Sequence, residues 1–329
     1  MELRFHAGAQ SARTHENLSA IRQDGPYLWI AGDETATIER LTLRDGVYDD
    51  QRTFNLDDFV DLPAGPEAEA DIEGLARTDG WLWAVGSHSL KRRRVKSGQS
   101  ADKARKRLAT VVREENRFVL VRLPVRGGVP VREDGQRRAA ILAGHDNLAD
   151  MLSGDPHLAP FLALPGKDNG LDIEGIAAHS DERGHRLFVG LRGPVLRGWA
   201  VLLEIRPVTH PRDPSRLRLA EPYRKHFLDL DGLGIRDLCP YGDDLLILTG
   251  PSMALDGPVR VVRWRTGSVG DIVTGRDLEL VAELPFGRGD DHPEGLAVLE
   301  DGRLIVVYDS PSPARRTAEG VYADLIRLD

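Results

Sequence analysis

The stretch Asp172-Ile173-Glu174-Gly175-Ile176-Ala177, followed by Leu187-Phe188-Val189-Gly190-Leu191-Arg192, decides the fold because it recurs along the chain. Close copies begin at Asp71 and His292, and looser copies begin at Asn17 and Gly234. In each copy, Gly, Asp or charged residues separate two apolar runs, which is typical of two antiparallel strands joined by a tight turn. Repetition of such a unit at domain scale indicates a propeller or a solenoid.

The five copies predict an all-β, five-bladed β-propeller that forms a single domain over residues 1–329. Third and fourth strands can be assigned after each hairpin, except that the last copy has no fourth strand. We expect Leu3-Arg4-Phe5-His6 to supply it, so that the N-terminal strand closes the ring and removes exposed sheet edges.

A six-bladed ring is the alternative, because the step from Glu73 to Glu174 is much longer than the others. That interval contains a basic run and short segments with helical character. Its content favours a basic and helical insertion, around residues 90–116 and 144–164, over a further blade.

Composition narrows the class of protein. The formal net charge of −8 weighs against a protein that coats nucleic acid. Cys239 is the only cysteine, so an internal disulfide is impossible and a reducing compartment is favoured. The N-terminus lacks the pattern of a signal peptide, and no apolar stretch approaches the length that spans a bilayer. We therefore expect a cytoplasmic protein with no nucleic-acid or membrane partner.

The repeat also predicts where the chemistry lies. In an antiparallel hairpin the start of the first strand lies opposite the end of the second. Acidic residues at these positions should therefore converge on one polar mouth of the central channel. The candidate metal ligands there are Asp33, Glu34, Asp71, Glu73, Asp172, Glu174, Glu294 and Asp309.

So many carboxylates cannot all stay ionised without a partner, since like charges about 4 Å apart repel by several kcal/mol at an intermediate dielectric. Raised pKa values, protein counter-charges or a bound cation would each relieve the repulsion. The surplus of oxygen donors suits Ca²⁺ or Mg²⁺ as a cofactor better than zinc. The alternatives are a purely structural cation, and carboxylates that accept backbone hydrogen bonds or hold water.

The candidate catalytic residues are those that break the repeat: His88, Arg192, Arg236 and Asp237. Arginine forks are suited to binding phosphate or carboxylate groups. A bound metal lowers the pKa of its water, and His88 could act as a general acid or base. The other interpretation of His88 is a hydrogen-bonded structural histidine.

The basic stretch from Lys91 to Arg107 follows directly on this mouth. It lacks the interleaved aromatic residues of a nucleic-acid patch. We expect it either to be a solvated, mobile run or to fold over the mouth and attract a small anionic substrate.

The phrases Gly86-Ser87-His88-Ser89, Gly190-Leu191-Arg192-Gly193-Pro194, Gly234-Ile235-Arg236-Asp237-Leu238 and His292-Pro293-Glu294-Gly295-Leu296 carry a family resemblance. The chain resembles the phytase-like or esterase-like β-propellers, and most of all a bacterial propeller family of unknown function. The resemblance covers nearly the whole chain and implies calcium-assisted hydrolysis of phosphate or carboxylate esters. The chain departs from the phytase pattern in having five evident repeats.

The sequence thus leads to two hypotheses. The first is a metal-assisted hydrolase of a phosphate or carboxylate ester, with its site at the polar mouth. The second is a non-catalytic propeller that binds a small anionic ligand or a protein partner on the same face. Fold alone cannot decide between them, because propellers serve both roles.

Overall fold

The computed structural model describes residues 1–11, 13–266 and 270–328. Its strands form five sheets of three or more strands, and each of the five predicted hairpins provides the first two strands of one sheet. Across sheet 1 the order is Leu18–Asp24, Tyr27–Gly32, Thr37–Arg44, Val47–Asn55, Glu2–Arg4 and Gly320–Tyr322. Across sheet 2 it is Ile72–Thr78, Trp81–Gly86, Leu120–Arg126, Ala140–Leu142, Asp213–Leu219 and Pro207–His210, with Val129–Pro130 beside Leu120–Arg126.

In the other three sheets, too, the two strands of a hairpin come first and the remaining strands follow outward. Sheet 3 contains Asp172–Asp181, Gly184–Gly193, Trp199–Ile205, Arg224–Asp229 and Ile272–Val273. Sheet 4 contains Gly234–Tyr241, Asp244–Gly250, Val259–Trp264 and Leu278–Leu284. Sheet 5 contains His292–Val298, Arg303–Asp309 and Asp324–Arg327.

The remaining elements are short. Two small ribbons pair Lys91–Arg92 with Val111–Val112 and Glu133–Asp134 with Arg137–Arg138. The α-helices are Ala7–Ser11, Ala101–Leu108 and Leu148–Met151. The 3₁₀-helices are Thr14–Glu16, Leu56–Asp58, Glu115–Arg117, Gly144–Asp146, Ala159–Phe161 and Gly166–Asp168. Several of these helices lie within the two intervals that the sequence marks as insertions. Over the described part of the chain, no helix is long and apolar enough to cross a bilayer.

Successive sheets pack face to face. Successive side chains of a strand point to opposite faces, so a strand that is buried throughout, such as Trp81–Gly86, must lie between two layers. A buried apolar cluster separates each sheet from the next. These clusters include Trp29 and Leu75 between sheets 1 and 2, Trp83 and Val189 between 2 and 3, Phe188 and Ile247 between 3 and 4, Leu248 and Val306 between 4 and 5, and Ile30 and Ile305 between 5 and 1. The first strands also contact one another in the same cyclic order. The fold is all-β and propeller-like.

The outer edges of sheets 1, 2 and 3 are covered by parallel strands from elsewhere in the chain. The parallel pairs are Leu3 with Tyr48, Ile141 with Arg216, and Phe227 with Ile272. Asp213–Leu219 is inserted between two strands of sheet 3, and Ile272–Val273 between two strands of sheet 4. These strands occupy hydrogen-bonding edges that would otherwise be free.

The N-terminal strand takes a position different from the one expected. Glu2–Arg4 pairs with Gly320–Tyr322 and joins sheet 1, whereas the third strand of sheet 5, Asp324–Arg327, pairs only with Arg303–Asp309 among the residues described. The physical reason is burial, because Leu3 and Phe5 fill the apolar cluster between sheets 1 and 5. The N-terminal strand therefore pairs with a strand near the C-terminus, but it is not a fourth strand of sheet 5.

Candidate functional site at the acidic mouth

A β-bulge occurs at the same repeat position in every first strand. The bulged residues are Ser19, Glu73, Glu174, Arg236 and Glu294. A bulge leaves one residue unpaired and redirects its side chain. The end of each second strand pairs with the start of the first, for example Gly86 with Ile72 and Asp309 with His292. The repeat-equivalent side chains therefore gather at one end of the molecule.

The glycine after the bulged Glu is required by close packing between neighbouring first strands. A Cβ atom on Gly175 would lie 3.0 Å from the backbone of Asp237. A Cβ on Gly295 would lie 3.1 Å from the Ile21 side chain, and one on Gly74 would lie 2.9 Å from Ile176. The Glu-Gly pair thus combines a side chain aimed at the mouth with a backbone that lets the next strand approach.

Seven carboxyl groups form what we call the acidic pit: Asp33, Asp71, Glu73, Asp172, Glu174, Glu294 and Asp309. Each of them is close enough to at least one other member for repulsion between the two carboxylates to raise a pKa within the pit. Arg236 joins two of them directly, since its Nη1 donates to Glu294 Oε1 and lies 4.0 Å from Glu174 Oε2. The structure thus brings these seven predicted acids together, and their role as metal ligands stays a prediction.

Three arginines neutralise part of the pit. Arg192 Nη1 donates to Glu174 Oε1 at 2.6 Å, Arg236 pairs with Glu294, and Arg117 pairs with Asp71. Arg192 also donates to the carbonyl oxygens of Pro251 and Met253, each at 3.2 Å. Arg192 and Arg236 were predicted to bind an anionic substrate, but here they are engaged with the protein's own carboxylates.

The acids with less compensation have raised pKa values. Burial, followed by repulsion from Asp71 and Asp309, raises the pKa of Asp33 to about 7. Burial likewise raises the pKa of Glu174 to about 7, although Arg192 opposes the shift. The pKa of Glu73 is raised well above its ordinary value by burial and then by Asp71. Both Asp33 Oδ1 and Glu174 Oε2 are buried without a hydrogen-bond partner among the described residues.

Glu294 shows the opposite balance. Burial raises its pKa, but the guanidinium groups of Arg236 and Arg192 outweigh burial and lower it overall. The pit thus contains carboxyl groups that stay ionised beside others that hold a proton near neutral pH.

His88 does not belong to the pit. Its ring is buried edge-on against Phe118, and its Nδ1 lies 2.8 Å from the carbonyl oxygen of Gly86. Burial lowers its pKa to about 4, so the ring is neutral at physiological pH. This arrangement matches the structural interpretation of His88 better than the catalytic one. Glu34, a candidate metal ligand, is exposed and accepts a hydrogen bond from Asn17 Nδ2 at 2.9 Å.

Asp237, the fourth candidate catalytic residue, is fully buried below the pit. Both of its oxygens bind Arg22, at 2.7 and 2.9 Å, and they also accept hydrogen bonds from the backbone N–H groups of Leu238 and Leu296. Arg22 donates further to the carbonyl oxygens of Ile176, Leu238 and Leu296. We call this pair the channel plug, because it joins four sheets across the axis. We therefore leave Asp237 and His88 out of the proposed site.

Sequence reasoning missed three cations, namely Arg22, Arg117 and Lys167. Arg22 was detectable, because its repeat-equivalent positions carry the small residues Ala76, Ala177, Cys239 and Ala297. Lys167 is exposed, yet its positive charge acts to lower the pKa values of four pit acids, Asp33, Asp172, Glu294 and Asp309. The neighbouring Gly166 packs against the Asp172 carboxylate. Arg117 and Lys167 lie outside the repeats, so no pattern pointed to them.

The basic stretch lies beside the mouth. Lys91 contacts Glu69 at 3.1 Å, and Arg92 contacts Asp168 at 2.6 Å. Helix Ala101–Leu108 buries none of its residues. The stretch therefore begins with two anchored residues next to Lys167 and continues as a solvated helix.

The donor chemistry of the pit suits a hard cation such as Ca²⁺ or Mg²⁺. Within residues 1–11, 13–266 and 270–328, however, no group of three or more His, Cys, Asp or Glu side chains is arranged to hold a metal ion. The acids as they stand do not form a ready metal site. Three of them are paired with Arg117, Arg192 and Arg236.

Comparisons with known proteins bear on family and fold. The family model described as "Protein of unknown function (DUF3616)" matches residues 17–324. No curated protein matches the chain. The solved glutaminyl cyclase of Myxococcus xanthus is 12% identical with a TM-score of 0.43, covering 96% of this chain and 94% of that chain. A catalytically inactive virginiamycin B lyase from Staphylococcus aureus is 11% identical with a TM-score of 0.35, covering 100% of this chain and 73% of that chain. Likenesses this distant carry no argument about activity.

Proposed function

The chain belongs to this family of proteins of unknown function, as the resemblance predicted, and we propose from the arrangement of the acidic pit that it hydrolyses a carboxylate ester there. In this proposal the carboxyl groups of Glu174 and Asp33 exchange protons with water and substrate. The observation that carries it is that Asp33 Oδ1 and Glu174 Oε2 are both buried without a hydrogen-bond partner among the described residues. Raised pKa values of about 7 for the two carboxyl groups agree with this placement. General acids and bases are most effective when their pKa lies near the working pH.

The surroundings of the two carboxyl groups suggest different roles. Glu174 lies 2.6 Å from the Arg192 guanidinium, which favours its ionised form. Asp33 is surrounded by Asp71, Asp309 and Glu34, which favours its protonated form. Glu174 would take a proton from the water that attacks the ester carbonyl carbon. Asp33 would give a proton to the alkoxide that leaves as the ester C–O bond breaks.

Lys167 is the proposed partner of the negative charge that develops on the carbonyl oxygen. It has no hydrogen bond or close ion pair within the described part of the chain, although it lies within electrostatic range of the pit. A cation aimed at a developing oxyanion is among the largest contributors to catalysis.

The charge of the pit restricts the substrate. Seven carboxyl groups face Arg117, Arg192, Arg236 and Lys167, and the three arginines are already paired. A phosphate ester would therefore be repelled, whereas a neutral or positively charged acyl ester would not. The same surplus supports the alternative, a non-catalytic mouth that binds a cationic ligand or a basic segment of a protein partner.

We also propose that the pit binds a cation, but no step of the hydrolysis described above depends on it. The carboxylates would have to rearrange before three of them could hold Ca²⁺ or Mg²⁺. A cation that binds only the folded form raises the thermal midpoint, and the rise grows with the ratio of its concentration to its Kd. Midpoints measured with Ca²⁺, with Mg²⁺ and with EDTA therefore test this part separately.

The catalytic part is tested with p-nitrophenyl acetate and p-nitrophenyl phosphate. We expect hydrolysis of the acetate only, with a rate that is greatest near pH 7, because Glu174 must have lost its proton while Asp33 still holds one and both pKa values are about 7. Glu174→Gln should lower kcat by roughly a hundredfold or more, whereas Asp33→Asn should lower it less, because p-nitrophenolate leaves readily without a proton. Glu221→Gln, a change at an exposed ion pair with Arg183, is the matched control. Equal rates for all four proteins would refute the hydrolase and leave the binding alternative.

We also propose that the ring has five blades and is closed between sheets 5 and 1. This rests on the five apolar clusters between successive sheets, one of which lies between sheets 5 and 1. An experimental structure that inserts a further sheet between any two of these would overturn it.

A further inference from the structure

An apolar groove adjoins the acidic pit on the side of sheets 4 and 5. Its walls are two loops, residues 251–258 after the second strand of sheet 4 and residues 285–291 before the first strand of sheet 5. Apolar side chains provide most of its lining, namely Pro251, Leu255, Val259, Phe286 and Pro293.

The groove and the acidic pit share a wall. Arg236 lines the groove, and its Nη1 donates to Glu294 in the pit. Arg192, whose guanidinium belongs to the pit, donates to the backbone carbonyl oxygens of Pro251 and Met253 at 3.2 Å each. Two arginines that neutralise the pit therefore also fix the position of the groove beside it.

Large apolar side chains along the groove are exposed to solvent. Leu255 is 60% exposed and Phe286 is 44% exposed, and Met253 on the same loop as Leu255 is exposed as well. Asp256 Oδ1 accepts a hydrogen bond from the N–H of Gly289 at 3.3 Å, which joins the two loops. Exposed apolar surface in a concave place beside polar groups is typical of ligand-binding grooves, because a ligand removes that surface from water.

The arrangement of the pit indicates which part of an ester reaches the groove. In the hydrolysis proposed above, Glu174 activates the water and Asp33 gives a proton to the leaving alkoxide. Asp33 follows the second strand of sheet 1, whereas Arg236 Nη1 lies 4.0 Å from Glu174 Oε2. With the alkoxide on the side of Asp33, the acyl group extends past Arg236 into the groove.

We propose that the groove binds an aliphatic acyl chain, so that the substrate of the acidic pit is a neutral ester of a short aliphatic acid. This inference rests on the proposed hydrolysis. The enclosed part of the groove has a volume of only about 10 Å³, so a bound chain lies mostly along the open faces of Leu255 and Phe286. Asp256, which also lines the groove, disfavours a chain that ends in a carboxylate.

The first test compares the p-nitrophenyl esters of acetate, butyrate and hexanoate, with each rate divided by the spontaneous rate of the same ester. We expect kcat/KM to rise about twofold to threefold for each added methylene, because an open groove buries each one in part. The rise should come mainly from a lower KM, since the chain makes the same contacts in the ground state and the transition state.

Variants locate the chain. Phe286→Ala and Leu255→Ala change exposed side chains, and each should remove most of the preference for hexanoate over acetate. Leu280→Ala, at a side chain of sheet 4 that is 56% exposed, is the matched control and should keep the preference. Hydrolysis that does not depend on chain length, or a preference that survives in both groove variants, would overturn the groove and leave the hydrolase standing.

Binding without hydrolysis separates the two proposals. Hexanamide has the hexanoyl chain but no ester bond, and saturation-transfer NMR detects weak contacts of its methyl and methylene protons with the protein. We expect a signal in the parent that weakens in Phe286→Ala and persists in Leu280→Ala. That result without hydrolysis of any ester would refute the hydrolase and retain the groove. Neither hydrolysis nor a signal that depends on Phe286 would overturn both, and would leave a segment of another chain as the occupant.

Discussion

Glu73 makes no hydrogen bond or close ion pair among the described residues, and its pKa is raised by burial and by the neighbouring carboxylates. A carboxyl group with a raised pKa in the folded state binds more protons there than in the unfolded chain. Its contribution to stability therefore falls as the pH rises above the unfolded value, near 4.5. At lower pH both states are protonated and the contribution is constant.

Glu73→Gln should remove this pH-dependent penalty. We expect the variant to match the parent in thermal midpoint near pH 4.5, where glutamine resembles a protonated glutamate, and to exceed it by a few degrees at pH 8. Thermal unfolding at several pH values measures the difference. Asp301→Asn, which removes an exposed partner of Arg303, is the control. A Glu73→Gln protein that is less stable than the parent at pH 8 would show that the ionised side chain has a stabilising partner.

Arg22→Met should be among the most destabilising single changes in this protein. It leaves Asp237 as a buried charge without its partner and removes donors from the carbonyl oxygens of Ile176 and Leu296. Breaking one side of a buried pair costs about 3–5 kcal/mol. Urea denaturation measures the loss, and Arg303→Met, which breaks only an exposed pair, should change stability by less than about 0.5 kcal/mol. A small effect of Arg22→Met would mean that water replaces the guanidinium.

At this scale, the repeat indicated that Glu73, Glu174 and Glu294 share one position, and the structure shows a bulge at each of them. The repeat could not predict their partners. Arg117 and Lys167 come from segments between the repeats, and the pairing of Asp237 depends on Arg22, which is far away in sequence. The sequence around His88 left a catalytic and a structural interpretation open, since its burial depends on packing against Phe118.

At the scale of single elements, the approach of neighbouring first strands makes a specific demand on glycine. Gly175→Ala would place a Cβ 3.0 Å from backbone atoms of Asp237, which cannot move aside as a flexible side chain can. Forcing extra volume into a packed site costs about 1–3 kcal/mol. Gly154→Ala is the matched control, because no atom lies within 4 Å of its added Cβ. Equal stability of the two variants in urea would show that the first strands can separate.

Hairpins could be predicted from the sequence because alternating apolar runs and turn residues are local signals. The outer strands could not, because Asp213–Leu219 and Ile272–Val273 pair in parallel with strands of a neighbouring sheet. Long-range parallel pairing leaves no local pattern. The same limit explains why the N-terminal strand was expected in sheet 5 and is found in sheet 1.

At the scale of the whole molecule, the cluster between sheets 5 and 1 joins the two ends of the chain. Leu3 is fully buried there and pairs with both Tyr48 and Val321. Leu3→Ala should lower the free energy of unfolding by about 2–5 kcal/mol. Leu43→Ala, at a position of sheet 1 that is 39% exposed, is the control and should have little effect. Comparable urea midpoints for the two variants would show that packing of the N-terminal strand contributes little to stability.

The strands that cover the edges of sheets 2 and 3 limit how this protein can be rearranged. Excising one repeat at its own boundaries would also remove Asp213–Leu219 from sheet 2 or Ile272–Val273 from sheet 3. A duplicated or shuffled repeat would likewise contain a strand that pairs with a sheet other than its own. Circular permutation that respects these exchanged strands should therefore be tolerated where exchange of single repeats is not.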